Sequence, residues 1–403
     1  MYDFDELIDR RNSNSNKWAG ARKRLTPEQY AADPLPMWVA DMDFRIAQPI
    51  RDAIQRELDH GIFGYGSTPD SYVDAVMQWH ARRYGWQTKA EWLTQSPGVV
   101  NAINMAMQAF SQPGDHVATL TPVYVHFHHD VVINGRRLIQ VPLQLEGGRY
   151  RFDPHAFESS LPTETKLFIL CHPHNPTGNV WTPAELRTMA EICERRGIVV
   201  ISDEVHADFV FGRRHVPYAS LDERMAQHSI TCTAPSKTFN LAGLQCANVF
   251  IPNDRLRAAF RAQCEKSGLT LNNTIGTAAC EAAYRYGEPW ADAMLNYIQG
   301  NHAHFAAGVV ERNLPFAVTP TESLYLAWLD FRRLGLDDVA LNDFLLRRAR
   351  VWLDRGTKFG EGGSGFMRIN LGCPRAIIDE ALDRLSNALR DHGVPVAEME
   401  QEI

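Results

Sequence analysis

Three polar side chains stand just past short apolar runs in the middle of the chain. Asn175 lies in Cys171-His-Pro-His-Asn175-Pro176-Thr177-Gly178, after residues 167–170. Asp203 lies in Ile201-Ser-Asp203-Glu-Val-His206, after residues 198–201. Lys237 lies in Thr233-Ala-Pro-Ser236-Lys237-Thr-Phe-Asn-Leu-Ala-Gly243, after residues 229–233. Between them they offer an amide for hydrogen bonding, an anion, and an amine able to act as nucleophile or base. Each has a plainer reading: Asn-Pro-x-Gly is a common turn, an Asp after a strand often caps a helix, and most lysines are solvated. In order, at successive strand ends, they converge on one crevice, because open parallel sheets bind ligands at the carboxyl ends of their strands.

The elements needed to position them are readable from the pattern. Residues 50–58 and 99–110 have helical apolar spacing, the second following Pro97-Gly98. Apolar runs at 116–120, 167–170, 198–201, 229–233 and 248–251 are bounded by Pro, Gly or Asp, and helical stretches such as 184–196 separate several of them. Fully apolar runs alternating with helices predict parallel strands buried on both faces, hence an α/β fold with a doubly wound, mostly parallel sheet. After about residue 288 the texture changes. A long helical stretch at 290–310 leads to the run 323–329, a further helix and the strand-like 366–371, predicting a smaller C-terminal α/β domain. The expected division is 1–45 as an N-terminal segment packing near the small domain, 46–288 as the large domain and 289–403 as the small one.

Composition narrows the function classes. The chain has 403 residues and a net charge of -7, which argues against a dedicated nucleic-acid binder. Its seven cysteines are scattered with no C-x-x-C pair, so reduced thiols fit better than a disulfide framework or a zinc site. The first 18 residues show no apolar signal core, and no stretch approaches the ~20 apolar residues that span a membrane. The expectation is a soluble, cytoplasmic protein with a small-molecule substrate.

Taken together, the motifs resemble those of fold-type I pyridoxal-phosphate enzymes, the aminotransferase superfamily, and are most similar to its cystathionine β-lyase or cysteine-S-conjugate β-lyase branch. The resemblance spans about residues 30–390. It rests on Trp38-Val-Ala-Asp-Met-Asp-Phe44, Gly64-Tyr65-Gly66, Pro97-Gly-Val-Val100, Thr121-Pro-Val-Tyr124, His174-Asn-Pro-Thr-Gly178, Ser202-Asp-Glu-Val-His206, Ala234-Pro-Ser-Lys-Thr-Phe-Asn240 and Arg368-Ile-Asn-Leu-Gly-Cys-Pro-Arg375.

The resemblance implies pyridoxal 5'-phosphate as cofactor and a role for each matched residue. Lys237 is the amine that holds the cofactor and then moves the Cα proton. Asp203 pairs with the ring nitrogen, Asn175 bonds the phenolic oxygen, Tyr124 stacks on the ring, and His206 lies beside it. The Val99 and Val100 amides, at a helix start, and the Ser236 hydroxyl face the phosphate. Tyr65 reaches the phosphate of a neighbouring subunit, implying a homodimer. Arg368 clamps the substrate carboxylate, with Asn175 also on the substrate and Trp38 and Ala40 lining the same end; guanidinium suits that task because it forks onto a carboxylate. Catalysis falls to Lys237, Asp203 and Tyr124.

Two departures from common aminotransferases point to the lyase branch: His206 replaces their Tyr, and Gln245 replaces their phosphate-binding Arg. The implied activity is β-elimination from L-cystathionine or a cysteine S-conjugate. Amino-group transfer is the alternative, and a ligand-responsive binding protein without turnover is a third reading, opposed by the intact Lys237, Asp203, Asn175 and Arg368. His126, His128 and His129 are read as structural or solvated, so no metal site is expected. Gly360-Glu-Gly-Gly-Ser-Gly365 is read as a mobile loop leading to Arg368, and His172 receives no role.

Overall fold

In the computed structural model, which describes residues 2–270 and 272–391, the apolar runs of the middle of the chain form one seven-stranded sheet. Its strands are β1 Leu93–Ser96, β2 His116–Thr121, β3 Arg137–Pro142, β4 Thr165–Cys171, β5 Val199–Asp203, β6 Ser229–Thr233 and β7 Ala247–Phe250, in the order β1-β7-β6-β5-β4-β2-β3. Strands β3, β2, β4, β5 and β6 pair in parallel, whereas β7 runs antiparallel to both β6 and β1. The sheet belongs to a unit comprising Ile46–Ala293 and Glu322–Leu324. Its central strands are covered on both faces: every residue of β6 is buried, as is all of β4 except Lys166.

Helix α1, Val99–Phe110, follows β1 at once and lays Ala102, Ile103 and Ala106 on the sheet residues Val117, Leu167, Ile201 and Ile230. Helix α2, Val125–Ile133, follows β2. Helix α3, Pro183–Arg195, starts at a capping box in which Thr182 and Glu185 bond each other's backbone amides, with proline at the first turn. The chain steps outward from β2 to β3, then returns to the other side of β2 for β4. Strand order therefore reverses between β2 and β4, and a crevice opens at their carboxyl ends.

The second unit gathers the described residues of Met1–Arg45, Met294–Thr321 and Tyr325–Ile403. Its antiparallel sheet has the order β8-β9-β11-β10, with β8 Ala317–Val318, β9 Leu326–Asp330, β10 Asp354–Arg355 and β11 Phe366–Asn370. Helix α4, Arg375–Asp391, covers it with Ile378, Leu382 and Leu385 over Ala327, Leu329 and Met367. Leu35–Pro36 adds a short parallel pair with Val351–Trp352.

The segment Gly360 to Gly365 differs from its sequence reading as a mobile loop: it is tied down. Ser364 Oγ and the Gly365 amide both donate to Asp338, and the Phe331 amide donates to the Gly365 carbonyl. Its glycines serve close approach. A Cβ on Gly363 would lie 2.1 Å from the carbonyl oxygen of Gly356, so no larger residue fits there.

The N-terminal residues are held by a buried carboxylate. Asp43 accepts from Lys17 Nζ at 2.5 Å, Arg10 Nη1 at 2.5 Å and Trp18 Nε1 at 2.9 Å. Burial alone would raise its pKa, but Lys17, Trp18 and Arg10 outweigh that and hold the carboxyl below the ordinary range. Asp43→Ala leaves Lys17, 1% exposed, as a buried cation without its counter-ion. The expected cost is about 3–5 kcal/mol, read as a lower urea midpoint.

Among the described residues no helix is long and apolar enough to cross a membrane. All seven cysteines are buried and free.

Candidate active site

The strand register of the larger unit sets three of the expected residues side by side. Cys171 of β4 pairs with Asp203 of β5, and Asp203 pairs with Cys232 of β6. Asn175, Asp203 and Lys237 therefore leave adjacent strands at the same carboxyl edge. His174, just before Asn175, joins this edge to the next: its Nε2 donates to the Pro122 carbonyl at 2.8 Å. That imidazole is fully enclosed, and burial lowers its pKa to about 4, so it is neutral and available as a donor. The bond fixes the β4 loop against the β2 loop that carries Tyr124, across the point where strand order reverses.

Asp203 is 5% exposed and accepts from the Val205 amide at 3.1 Å. Desolvation pushes its pKa up to about 7, against lowering contributions from the Val205 amide and the charge of Lys237. A carboxylate this buried keeps its charge only beside a cation.

Lys237 and Ser236 are half-buried in the short helical turn Pro235–Thr238. That turn is anchored from behind. Thr238 Oγ1 donates to Asp208 Oδ2 at 2.6 Å, and Asp208 Oδ1 accepts from Tyr84 Oη at 2.6 Å with Arg83 Nε 3.4 Å away. Thr238→Val removes one donor from a buried carboxylate and is expected to cost about 1–3 kcal/mol, measured by denaturant unfolding. Beside this anchor lies a second buried network. Glu204 accepts from His215 Nε2 at 2.7 Å, from Ser202 Oγ at 2.9 Å and from the Tyr218 amide at 2.9 Å. The His172 ring packs 4.4 Å from that of His215 and bonds the Val216 carbonyl, so His172 is part of the support beneath the strand ends.

Val99 and Val100 open α1 after Gly98, so their amides have no carbonyl one turn behind them and point out of the helix. Tyr124 is half-buried at the start of α2, and His206 is buried 6.1 Å from Phe209 between ring centroids. Gln245 is exposed and lines a cavity of about 180 Å³ with Ser96 and Pro97, next to the start of α1. Tyr65 is 92% exposed, on the segment between the helices Gln48–His60 and Asp70–Tyr84.

Arg368, Trp38 and Ala40 come together in the smaller unit. Arg368 Nη2 donates to the Trp38 carbonyl and to Asp354 Oδ2, each at 3.0 Å, and its guanidinium lies 4.8 Å from the Phe359 ring centroid. Tyr325 Oη donates to the Ala40 carbonyl at 2.8 Å, and Asn370 Nδ2 donates to the carbonyls of Val39 and Asp41. The Trp38 ring stacks on Trp352 at 4.5 Å. Sequence reasoning missed Asp354, Asp208 and the Glu204–His215 pair.

This donor set suits a phosphorylated pyridine. The buried Asp203 calls for a cationic ring nitrogen, the α1 amides and Ser236 for an anion, and the Lys237 amine for an aldehyde carbon. The chain belongs to the aminotransferase class I and II family, whose profile matches residues 37–385. Within that class it is similar to "Cystathionine beta-lyase PatB" of Bacillus subtilis (strain 168), with 44% identity over 96% of this chain and 99% of that protein. Among solved structures it resembles cystalysin from Treponema denticola, which contains a pyridoxal 5'-phosphate cofactor: TM-score 0.91, 33% identity, covering 97% of this chain and 100% of that one. It also resembles a PLP-bound C-S lyase from Staphylococcus hominis, with TM-score 0.89 and 30% identity over 96% of this chain and 98% of that one.

Proposed function

We propose that the protein is a pyridoxal-phosphate-dependent carbon–sulfur β-lyase. It converts L-cystathionine or a cysteine S-conjugate, with one water, to pyruvate, ammonia and a thiol. The observation that carries the reading is the Asn175–Asp203–Lys237 edge, with its buried carboxylate in need of a cation, in a chain 44% identical over nearly its full length to a cystathionine β-lyase.

Pyridoxal phosphate, when bound, supplies a sink for the electron pair left when a bond to Cα breaks. The chain's residues do the rest. Asp203 keeps a proton on the ring nitrogen, Asn175 bonds the phenolic oxygen, and Tyr124 and His206 bound the ring. The Val99 and Val100 amides and the Ser236 hydroxyl hold the phosphate. With Gln245 in place of an arginine, these neutral donors carry more of that task. Arg368, aimed by Asp354, takes the substrate carboxylate, with Trp38 and Ala40 beside it. Lys237 holds the cofactor at rest and afterwards takes the proton from Cα.

Elimination and amino-group transfer share that proton abstraction. Elimination would be favoured where Cβ bears a good leaving group such as a thiolate. The test is incubation with L-cystathionine, with and without an added keto acid. Pyruvate, ammonia and free thiol are expected without the keto acid. Turnover that requires it and releases no thiol would replace the lyase with an aminotransferase.

The proposal extends to assembly. Tyr65, with Ile62 at 72% and Phe63 at 55% exposure, forms an outward apolar stretch suited to a second copy, where Tyr65 serves the partner's phosphate site. The protein is then a homodimer, cytoplasmic, with reduced thiols. Tyr65→Phe is expected to weaken cofactor retention without dissociating the dimer, and light scattering that found an active monomer would sink this part. The larger unit would bind the cofactor.

A further inference from the structure

Outside the crevice, α2 carries a group that the lyase chemistry does not use. Asp130 is 3% exposed and fixed by Asn104, whose Nδ2 donates to Oδ2 at 2.7 Å. Its other oxygen, Oδ1, faces two imidazoles: His129 Nδ1 at 3.0 Å and His126 Nδ1 at 3.3 Å. The sequence run His126, His128, His129 suggested three histidines. Helical geometry instead places His128 on another side, where it is enclosed enough for burial to lower its pKa to about 4, and brings in Asp130 as the third group.

We propose that His126, His129 and Asp130 form a binding site for a borderline divalent transition metal of the zinc or nickel kind. Zinc sits about 2.0–2.2 Å from imidazole nitrogen and carboxylate oxygen, so neighbouring ligand atoms in a four- to six-coordinate shell lie about 2.9–3.4 Å apart. Both nitrogen-to-oxygen separations already fall in that range, and all three ligand atoms lie within 4.8 Å of one another. The remaining nitrogen-to-nitrogen gap closes by rotation of the two imidazoles, whose side chains are 44% and 60% exposed. Two imidazoles with one carboxylate favour zinc, nickel or copper over magnesium or calcium, which prefer oxygen. Asn104 supplies the outer hydrogen bond that orients a ligating carboxylate. Three protein ligands leave at least one position for water, so the site is open rather than closed. Among the described residues no other group of three such side chains has this geometry. The inference is independent of the lyase reading.

The test is titration of the chelator-stripped, cofactor-loaded protein with zinc chloride, nickel chloride and magnesium chloride by calorimetry. One zinc or nickel per chain is expected and no magnesium. His129→Gln and His126→Gln should each weaken zinc binding at least about tenfold, a loss that outer-sphere changes alone can cause. His128→Gln should leave it unchanged. Both surface variants should melt as the parent does without metal, so that lost binding is not lost folding. Absence of zinc and nickel binding up to about 100 μM, or binding unaffected by His126→Gln and His129→Gln, overturns the proposal.

Discussion

Lys237→Ala is expected to abolish nearly all turnover while leaving the fold intact. A positioned general base contributes about 10²–10⁴-fold on its own, and in the proposed mechanism the same amine also holds the cofactor, so the loss should reach at least the top of that range. Little else should change. The side chain is half-buried at the end of a turn whose anchoring runs through Thr238 and Asp208. Steady-state pyruvate release from L-cystathionine measures the first effect, and thermal unfolding checks the second. Borohydride reduction of the parent followed by peptide mapping should place the cofactor on Lys237. A label on another lysine would remove Lys237 from the mechanism.

The second large effect is on stability and follows from Asp203. In the folded, cofactor-free protein its carboxyl titrates near 7 rather than the ordinary 3.8, because burial disfavours the charge. Below about pH 4 both folded and unfolded chains carry the proton, and the raised value costs nothing. Between about 4 and 7 the unfolded chain releases its proton while the folded chain keeps it, so stability falls as pH rises, by about 4 kcal/mol at most. Asp203→Asn should flatten this slope and stabilise the cofactor-free protein at pH 8. The same substitution should weaken cofactor retention if Asp203 pairs with the ring nitrogen as proposed, because that nitrogen would lose its counter-charge. Urea midpoints at pH 5 and pH 8, with and without cofactor, measure both. An unchanged slope in Asp203→Asn would mean that this carboxyl is not the group responsible.

Much of this arrangement was readable because local sequence encodes it. Asn175, Asp203 and Lys237 each follow an apolar run, and such runs have one outcome when both faces are covered by helices. Helix α1 begins at Val99 and ends at Phe110, the expected bounds, since Gly98 breaks the pattern before it and Ser111-Gln-Pro-Gly114 after it. The run 323–329 resolves differently: the strand is Leu326–Asp330, because Glu322 to Leu324 belong to the larger unit. What was not readable is the support. Thr238 meets Asp208 across 30 residues, Glu204 meets His215 across 11, and Arg368 meets Asp354 across 14. No periodicity links such partners, so only the fold reveals that the residues next to the reactive ones hold them in place. His172 is of the same kind, a buried ring braced on His215.

The buried cysteines carry a consequence for the proposed release of thiols. Free thiols oxidise to small disulfides, and these attach to any protein sulfur that is both ionised and reachable. Here burial raises the thiols of Cys171, Cys193, Cys232, Cys264, Cys280 and Cys373, holding them in the unreactive protonated form. Cys246 is the exception. A hydrogen bond from Cys280 lowers its pKa despite burial, and it lines the small cavity beside Gln245. Amid small disulfides, six of its sulfurs are therefore inert, and any mixed disulfide that does form is expected on Cys246.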